Sequence, residues 1–250
     1  MQQQTPESGS RKQDRAGFGE QMVSSRLLKS ILIMLLLLHG TLFAGKADAQ
    51  TATMEDLIGA QAQGASEAEL IAIYHSGLSV NSRNSYGATP LQVACAGKGY
   101  LYFAKMLLNE GADVNGIRRG GWTALMDACS EPGKAQIVRL LLDYGAQADR
   151  KKFDGRSALH LAASINNYDA ARVLVEAKAN VNLPDNNGRT PMYYVTSVEV
   201  ARLLIENGAR LNIVDRTRIT PYHFIRMREK ELYGRGESDL SSYLKSLGAQ

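Results

Sequence analysis

The stretch GRSALHLAAS, residues 155–164, opens with a five-residue motif that recurs along the chain. The motif is present in five versions: GATPL (87–91), GWTAL (121–125), GRSAL (155–159), GRTPM (188–192) and RITPY (218–222). The steps between successive versions are 34, 34, 33 and 30 residues. A period near 33 residues is typical of stacked units, each of which is too small to bury its own apolar face.

A second series of motifs keeps the same register and marks the end of each unit. Its members are GLSVN at 77, GADVN at 111, GAQAD at 145, KANVN at 178, GARLN at 208 and a final GA at 248. Between the two series lie a short apolar segment, a turn and a segment such as AARVLVEAKA, with apolar residues three and four apart. This order predicts two helices in each unit.

Hydroxyl and glycine residues are predicted to set the boundaries of these helices. A threonine or serine stands at the N-cap of each first helix, where its hydroxyl accepts a backbone N–H of the first turn. These residues are Thr89, Thr123, Ser157, Thr190 and Thr220. Glycine ends most second helices, at a position where the backbone is expected to adopt the left-handed conformation that glycine favours. Lys178 replaces that glycine in one unit, so we expect backbone strain there.

These motifs resemble the ankyrin repeat, with its G-x-T-P-L-H-x-A-A pattern, a second helix ending in L-L, and then G-A-D-V-N. The resemblance covers about residues 54–250. It implies an all-α solenoid of about six helix-turn-helix units with β-hairpin-like fingers and a capping unit at each end. The implied ankyrin-repeat domain is 50–250, with repeats at about 51–83, 84–117, 118–150, 151–183, 184–213 and 214–250. It also implies binding of other macromolecules, with no catalysis, no cofactor and no metal.

Two units at the C-terminal end depart from the pattern. The unit from 188 lacks about three residues around 195–198. The aromatic pair Tyr193-Tyr194 is predicted to fill the space that this leaves, in preference to forming a ligand site. The last unit has Arg218 where glycine is usual, and it carries an insertion around 233–237. A final helix is predicted over Asp239–Leu247.

The segment before the repeats has the layout of a secretory signal peptide. Arg26 and Lys29 precede the apolar run ILIMLLLL at 31–38, and Ala47-Asp48-Ala49 follows it. The run is too short for a helix that spans about 30 Å of hydrocarbon. We therefore predict a signal peptide at 22–49, cleaved after Ala49, and export to a bacterial periplasm. The alternatives are a membrane-anchored protein facing the periplasm and a secreted protein. The polar stretch 1–21 is predicted to be disordered or to lie upstream of a true start at Met22.

The charge of the chain argues against a general nucleic-acid binder. The whole chain has a net charge of +4, and residues 50–250 hold 23 basic and 21 acidic side chains. A protein that binds the phosphate backbone needs a larger basic excess. Any basic patch must therefore be local.

The histidine of the opening stretch has a catalytic and a structural interpretation. A Ser157–His160 pair could belong to a nucleophile site, but no G-x-S-x-G surrounds Ser157 and no acidic partner is placed nearby. The resemblance instead implies that His160 braces the loop of its own repeat, and we adopt that interpretation. Cys95 and Cys129 occupy equivalent places in adjacent units. Stacked helices lie about 8–10 Å apart, beyond the roughly 7 Å limit for a disulfide, so we predict two buried free thiols.

The predicted finger tips and the concave face of the first helices supply the candidate binding residues. They are Tyr86, Arg119, Trp122, Phe153, Arg156, Asp127, Leu161, Arg189 and Tyr194. Aromatic and arginine side chains together are typical anchors of protein interfaces. The alternative is that these side chains pack on neighbouring fingers and that the charges are simply solvated.

Two functions follow from these observations. The first is an exported, monomeric interaction module that binds a periplasmic or membrane protein, with an acidic patch facing the basic fingers. It would contact no nucleic acid, and a membrane only through an uncleaved signal segment. The roles of inhibitor, immunity factor and assembly aid are all consistent with it. The alternative is a binder of an anionic envelope ligand, a glycan or a lipid head group, accessory to an enzyme.

Overall fold

The computed structural model describes residues 51–233 and 238–250. The predicted signal peptide at 22–49, the stretch 1–21 and most of the insertion at 233–237 lie outside the described residues. The helices are α1 (Met54–Ala62), α2 (Glu67–His75), α3 (Pro90–Cys95), α4 (Leu101–Asn109), α5 (Ala124–Cys129), α6 (Ala135–Asp143), α7 (Ala158–Ser164), α8 (Tyr168–Glu176), α9 (Val198–Glu206), α10 (Pro221–Tyr233) and α11 (Asp239–Ser246). Two short strands, β1 (Ile117–Arg118) and β2 (Trp122–Thr123), and 3-10 turns at Arg119–Gly121 and Pro191–Tyr194 complete the described elements.

These elements form six stacked units in two layers. Each first helix contacts the first helix of the next unit, and each second helix contacts the next second helix. In the fifth unit the 3-10 turn Pro191–Tyr194 takes the place of the first helix. The predicted all-α solenoid of about six units is therefore confirmed. No helix among the described residues is long and apolar enough to cross a membrane.

The apolar core lies between the two layers and runs the length of the stack. It is built from leucine and other large apolar side chains that are at most 1% exposed. Those residues include Leu57, Leu70, Leu91, Phe103, Leu107, Leu125, Leu141, Leu159, Leu174, Met192 and Leu204. Because no unit could bury these side chains alone, the stability of each unit depends on its neighbours.

The hydroxyl groups of Thr89, Thr123 and Thr220 each accept a backbone N–H of the first turn, as predicted. At the start of α3 the Thr89 hydroxyl accepts the Gln92 backbone N–H at 3.4 Å, and Gln92 Oε1 accepts the Thr89 N–H at 3.1 Å. The prediction for Thr190 is wrong, because its hydroxyl is buried and has no hydrogen-bond partner among the residues that the structure describes. In this 3-10 turn the Tyr193 N–H bonds to the Thr190 carbonyl instead, so the hydroxyl has no N–H to accept.

Of the aromatic pair predicted to fill the short fifth unit, Tyr194 is only half-buried, and the space is filled by Tyr193. Its side chain is fully buried, and its hydroxyl lies 2.7 Å from the Ile213 carbonyl and 2.6 Å from the Ile219 carbonyl. In the last unit Arg218 adopts a φ of +64°, a value that glycine adopts at less cost. The predicted final helix is confirmed as α11.

Cys95 and Cys129 are buried free thiols that end α3 and α5. Burial raises the pKa of both thiols. The thiolate is the reactive form of cysteine, so both residues serve as small apolar side chains.

Lys178→Gly is expected to raise the free energy of unfolding by about 1 kcal/mol, because Lys178 has a φ of +66° that strains an L-residue. Gly145 occupies the same place one unit earlier, with a φ of +85° and open space around its Cα. Gly145→Ala is therefore the matched control and should lower stability by a similar amount. Thermal unfolding followed by circular dichroism measures both, and an unchanged midpoint for Lys178→Gly would contradict the prediction.

Candidate interaction surface

Five turns project from the stack, one before each first helix from the second unit onward. We call them fingers 1 to 5, with residues 84–87, 118–121, 152–155, 185–188 and 215–218. In four of them the N–H of the fourth residue donates to the carbonyl of the first, at 2.9 to 3.1 Å. Finger 2 instead joins β1 to β2, with Arg118 paired to Trp122. Among the described residues, strand pairing is confined to this finger, so the hairpin-like geometry is complete only there.

Adjacent fingers are joined by one backbone hydrogen bond at each junction. In every case the N–H of the second residue of a finger donates to the carbonyl of the third residue of the preceding finger. The four bonds are Arg119 to Tyr86 at 2.8 Å, Phe153 to Gly120 at 2.9 Å, Asn186 to Asp154 at 3.2 Å and Arg216 to Asn187 at 2.9 Å. This finger ladder makes the five turns one continuous backbone surface.

Three of the predicted binding residues are exposed on successive fingers. The exposed fraction is 59% for Tyr86 and 73% for Phe153, and Arg119 between them is also exposed. The structure shows no side-chain hydrogen bond or ion pair for Arg119 among the described residues. These three side chains are therefore open to a partner.

Trp122 is only partly exposed, which corrects the expectation that it projects freely from its finger. The Arg118 guanidinium lies 5.0 Å from the centre of its ring, and the Lys152 ammonium lies 5.6 Å away. Lys152 is in turn paired with Asp154. Cations over an indole ring stabilise this arrangement, so Trp122 is a structural link between fingers 2 and 3.

Asp127 and Leu161, which are predicted to lie on the concave face, are buried, with 4% and 6% exposed, and this corrects the expectation of an accessible pair. Asp127 is ion-paired with Arg118. Burial raises the pKa of Asp127, while the adjacent Arg118 opposes that shift. Because its carboxylate is buried and already paired with Arg118, Asp127 is not available to pair with a basic group of a partner.

Arg156, Arg189 and Tyr194 are half-buried and engaged within the chain. Arg156 contacts Asp154 at 2.8 Å, and its guanidinium lies 5.8 Å from the centre of the Tyr194 ring. The Tyr194 hydroxyl donates to Asp185 at 2.6 Å. Arg156 and Tyr194 thus connect the fourth unit to the fifth.

Arg189 makes the equivalent connection to the last unit. It contacts Asp215 at 2.9 Å, and its guanidinium lies 4.1 Å from the centre of the Phe224 ring. Burial opposes ionisation of Asp215, but hydrogen bonds from Thr217, the Ile219 N–H and Arg189 lower its pKa to about 2. Sequence reasoning missed Asp215 as the partner of Arg189 because it comes from the next finger.

His160 has a structural role, but it reaches further than predicted. Its Nδ1 accepts the Ser157 N–H at 3.1 Å, and its Nε2 lies 3.1 Å from the Arg189 carbonyl of the next unit. The correction is that His160 braces the following finger as well as its own loop. The Ser157 hydroxyl lies 2.9 Å from Nδ1. Both side chains are buried, with Ser157 1% exposed, so a substrate has no access to the pair.

The same bridge is built with other side chains in other units. Gln92 Nε2 donates to the Trp122 carbonyl at 2.9 Å, and the Tyr193 hydroxyl lies 2.6 Å from the Ile219 carbonyl. Each acceptor is the residue just before the N-cap of the next unit. No group of three His, Cys, Asp or Glu side chains within the described ranges could hold a metal ion.

Comparisons with known proteins agree with this architecture. The family model for ankyrin repeats, which holds three copies, matches residues 57–152 and 146–215. The chain is also similar to neurogenic locus notch homolog protein 1 of Cricetulus griseus, Mus musculus and Homo sapiens. Each is 49% identical over 45 residues, which is 18% of this chain. The chain spans about 2% of the length of these relatives.

Proposed function

The chain belongs to the ankyrin-repeat family, and we propose that it is an exported module that binds another protein through its fingers and its concave face. Ankyrin repeats generally mediate protein–protein interaction and are typically not enzymes. The observation that carries the proposal is the exposure of Tyr86, Arg119 and Phe153 on three successive fingers. Exposed aromatic and arginine side chains are the usual anchors of such interfaces.

The finger ladder supports this function because it fixes the positions of the anchors before binding. A hydrogen bond joins the backbone of each finger to the next. A surface that is already ordered loses less conformational entropy when a partner binds. A partner should therefore bind these three exposed side chains more tightly than it would if the fingers were disordered.

Export to the periplasm and the nature of the partner are parts of the same proposal. The basic, apolar and A-x-A segments at 22–49 support export. The partner is then a periplasmic or membrane protein. The exposed basic side chain Arg119 on finger 2 favours an acidic patch on that protein. We propose that the chain binds it as a monomer.

A photo-crosslinking amino acid at Phe153 tests the proposal in cells that express the full chain. We expect one protein to be captured in a discrete product. The matched control places the same amino acid at Arg172 of α8, on the second-helix layer, where the side chain is 44% exposed. Capture of the same protein from Arg172 alone, or of none from Phe153, would count against binding at the fingers.

A second candidate is binding of an anionic envelope ligand by the same basic side chains. Arg119, Arg216 and Arg218 are exposed, and charge attraction to a glycan or lipid head group falls steeply with salt. Vesicles of phosphatidylglycerol distinguish it. Binding at 50 mM salt that disappears at 500 mM salt would favour this candidate, whereas a protein contact through Phe153 should depend weakly on salt.

A further inference from the structure

We propose that fingers 1 to 3 form one docking notch for an extended protein segment that carries an apolar side chain next to a carboxylate. The notch is made by Tyr86, Arg119, Gly120, Gly121 and Phe153. The inference rests on the proposed function, and it specifies the binding site and the chemical character of the bound segment. It also removes the concave residues Asp127 and Leu161 from the contact surface, since both are buried.

The floor of the notch is formed by two glycines, and the rings of Trp122 and Phe153 lie against them. Gly120 and Gly121 are adjacent in finger 2 and have φ values of +86° and +78°. A Cβ added to Gly121 would lie 2.8 Å from Cδ1 of Phe153 and 3.0 Å from the Cα of Lys152. The Phe153 ring therefore sits directly against glycine, at a distance that any other residue would prevent.

The two aromatic walls belong to the fingers on either side of this floor. The Tyr86 carbonyl accepts the Arg119 N–H at 2.8 Å, and the Phe153 N–H donates to the Gly120 carbonyl at 2.9 Å. These bonds fix the backbones of Tyr86 and Phe153 beside finger 2, and most of the surface of both side chains is exposed. Exposed apolar surface of this kind marks an interaction site. An apolar side chain of a partner is the group that covers it.

Arg119 supplies the charge of the notch. The other basic side chains around it are each engaged with an oxygen of the chain. These are Arg118 with Asp127, Lys151 with the Pro184 carbonyl, Lys152 with Asp154, and Arg156 with Asp154. For Arg119 the structure shows no such acceptor among the described residues. A guanidinium pairs best with a carboxylate, through two parallel hydrogen bonds.

The arrangement favours a protein segment over a polyanion. An open guanidinium on the finger between two fingers that carry exposed aromatic side chains matches a single carboxylate beside an apolar side chain. A glycan or a membrane surface would instead be held by several open cations in a row. In fingers 2 to 4 the neighbouring cations are already paired with oxygens of the chain.

Finger 5 provides a matched control. Arg216 is the second residue of its finger, as Arg119 is of finger 2, and both are exposed. Their N–H groups make equivalent bonds to the preceding finger. Arg119→Glu and Arg216→Glu thus change the net charge equally at equivalent turn positions, but only the first lies in the notch.

Selection from a random library of 12-residue peptides on the immobilised full chain tests the inference. We expect the enriched peptides to share an Asp or Glu beside Leu, Ile, Val or Phe. One synthetic peptide of this kind should lose about tenfold or more in affinity with Arg119→Glu and with Phe153→Ser. Arg216→Glu should change its affinity less than twofold. Because all three side chains are exposed, the melting temperatures of the variants should match that of the parent.

Four outcomes would overturn the inference. Enriched peptides without an acidic residue would show that the Arg119 guanidinium does not select the ligand. Equal losses for Arg119→Glu and Arg216→Glu would show that general charge and not the notch controls binding. Peptides that tolerate both notch variants but are lost with Tyr194→Ala would move the site to the first helices. That result would leave the proposed protein-binding function intact. Failure to enrich any peptide, together with salt-sensitive binding to phosphatidylglycerol vesicles, would overturn both.

Discussion

Replacement of Gly155 by alanine is expected to lower the free energy of unfolding by about 3 kcal/mol. Gly155 ends finger 3 with a φ of +87°, and this left-handed backbone costs an L-residue about 1–2 kcal/mol. A Cβ at this position would also lie 2.3 Å from the backbone nitrogen of Asn186 and 2.8 Å from the carbonyl carbon of Asp185. Because these are backbone atoms of finger 4, the two fingers must separate, and overpacking of this kind adds about 1–3 kcal/mol.

Gly188→Ala is the control that separates the two causes. Gly188 ends finger 4 with a similar φ of +81°, but an added Cβ would lie 3.4 Å from its nearest neighbour, the Arg216 nitrogen. Only the backbone strain of about 1 kcal/mol is then expected. Urea unfolding followed by circular dichroism measures both variants. Equal losses would show that fingers 3 and 4 do not approach each other as closely as described.

Acidification from pH 7 to pH 4 is expected to destabilise the parent chain by about 3 kcal/mol more than the His160→Gln variant. Burial lowers the pKa of His160 to about 4, whereas an unfolded histidine has a pKa near 6.5. Above pH 6.5 the ring is neutral in both states, and its contribution to stability is complete. Between pH 6.5 and 4 the unfolded chain binds a proton that the folded chain excludes, so stability falls. Below pH 4 that contribution is lost.

Another unit of this chain already has glutamine at the position equivalent to His160. Gln92 holds the equivalent place two units earlier, where it accepts the Thr89 N–H and donates to the Trp122 carbonyl. Glutamine at position 160 should therefore keep both hydrogen bonds without titrating. Urea unfolding at pH 7, 6, 5 and 4 gives the difference in free energy of unfolding between the two proteins at each pH. The contributions of all other titrating groups are common to both proteins and cancel in this difference. Parallel pH dependence of the two proteins would contradict a buried neutral His160.

The sequence was sufficient to predict the solenoid because its signals are local. A cap such as Thr89, and the glycine-like backbone at Lys178, depend on residues a few positions away in the chain. The Thr190 cap was predicted wrongly because the loss of about three residues converts the following helix into a 3-10 turn. That change alters which N–H groups are available, and no residue type at the cap itself signals it.

The candidate site was harder to predict because some finger side chains are paired with residues of the next finger. Trp122 is covered by Lys152, which lies 30 residues further along the chain, and Arg189 is paired with Asp215, 26 residues away. Composition indicated that aromatic and basic side chains gather on the fingers. It did not indicate which of these side chains would pair with other residues of the chain and which, like Phe153, would stay exposed.

The finger ladder also turns four amide protons into reporters of opening at individual junctions. Each of these protons is shielded from water only while the preceding finger stays stacked, since its acceptor belongs to that finger. They are the amides of Arg119, Phe153, Asn186 and Arg216. Exchange of each proton with deuterium therefore measures the separation of one pair of units. A comparison of the four exchange rates would show whether a ligand or a mechanical load at one end of the stack changes the opening of junctions at the other end.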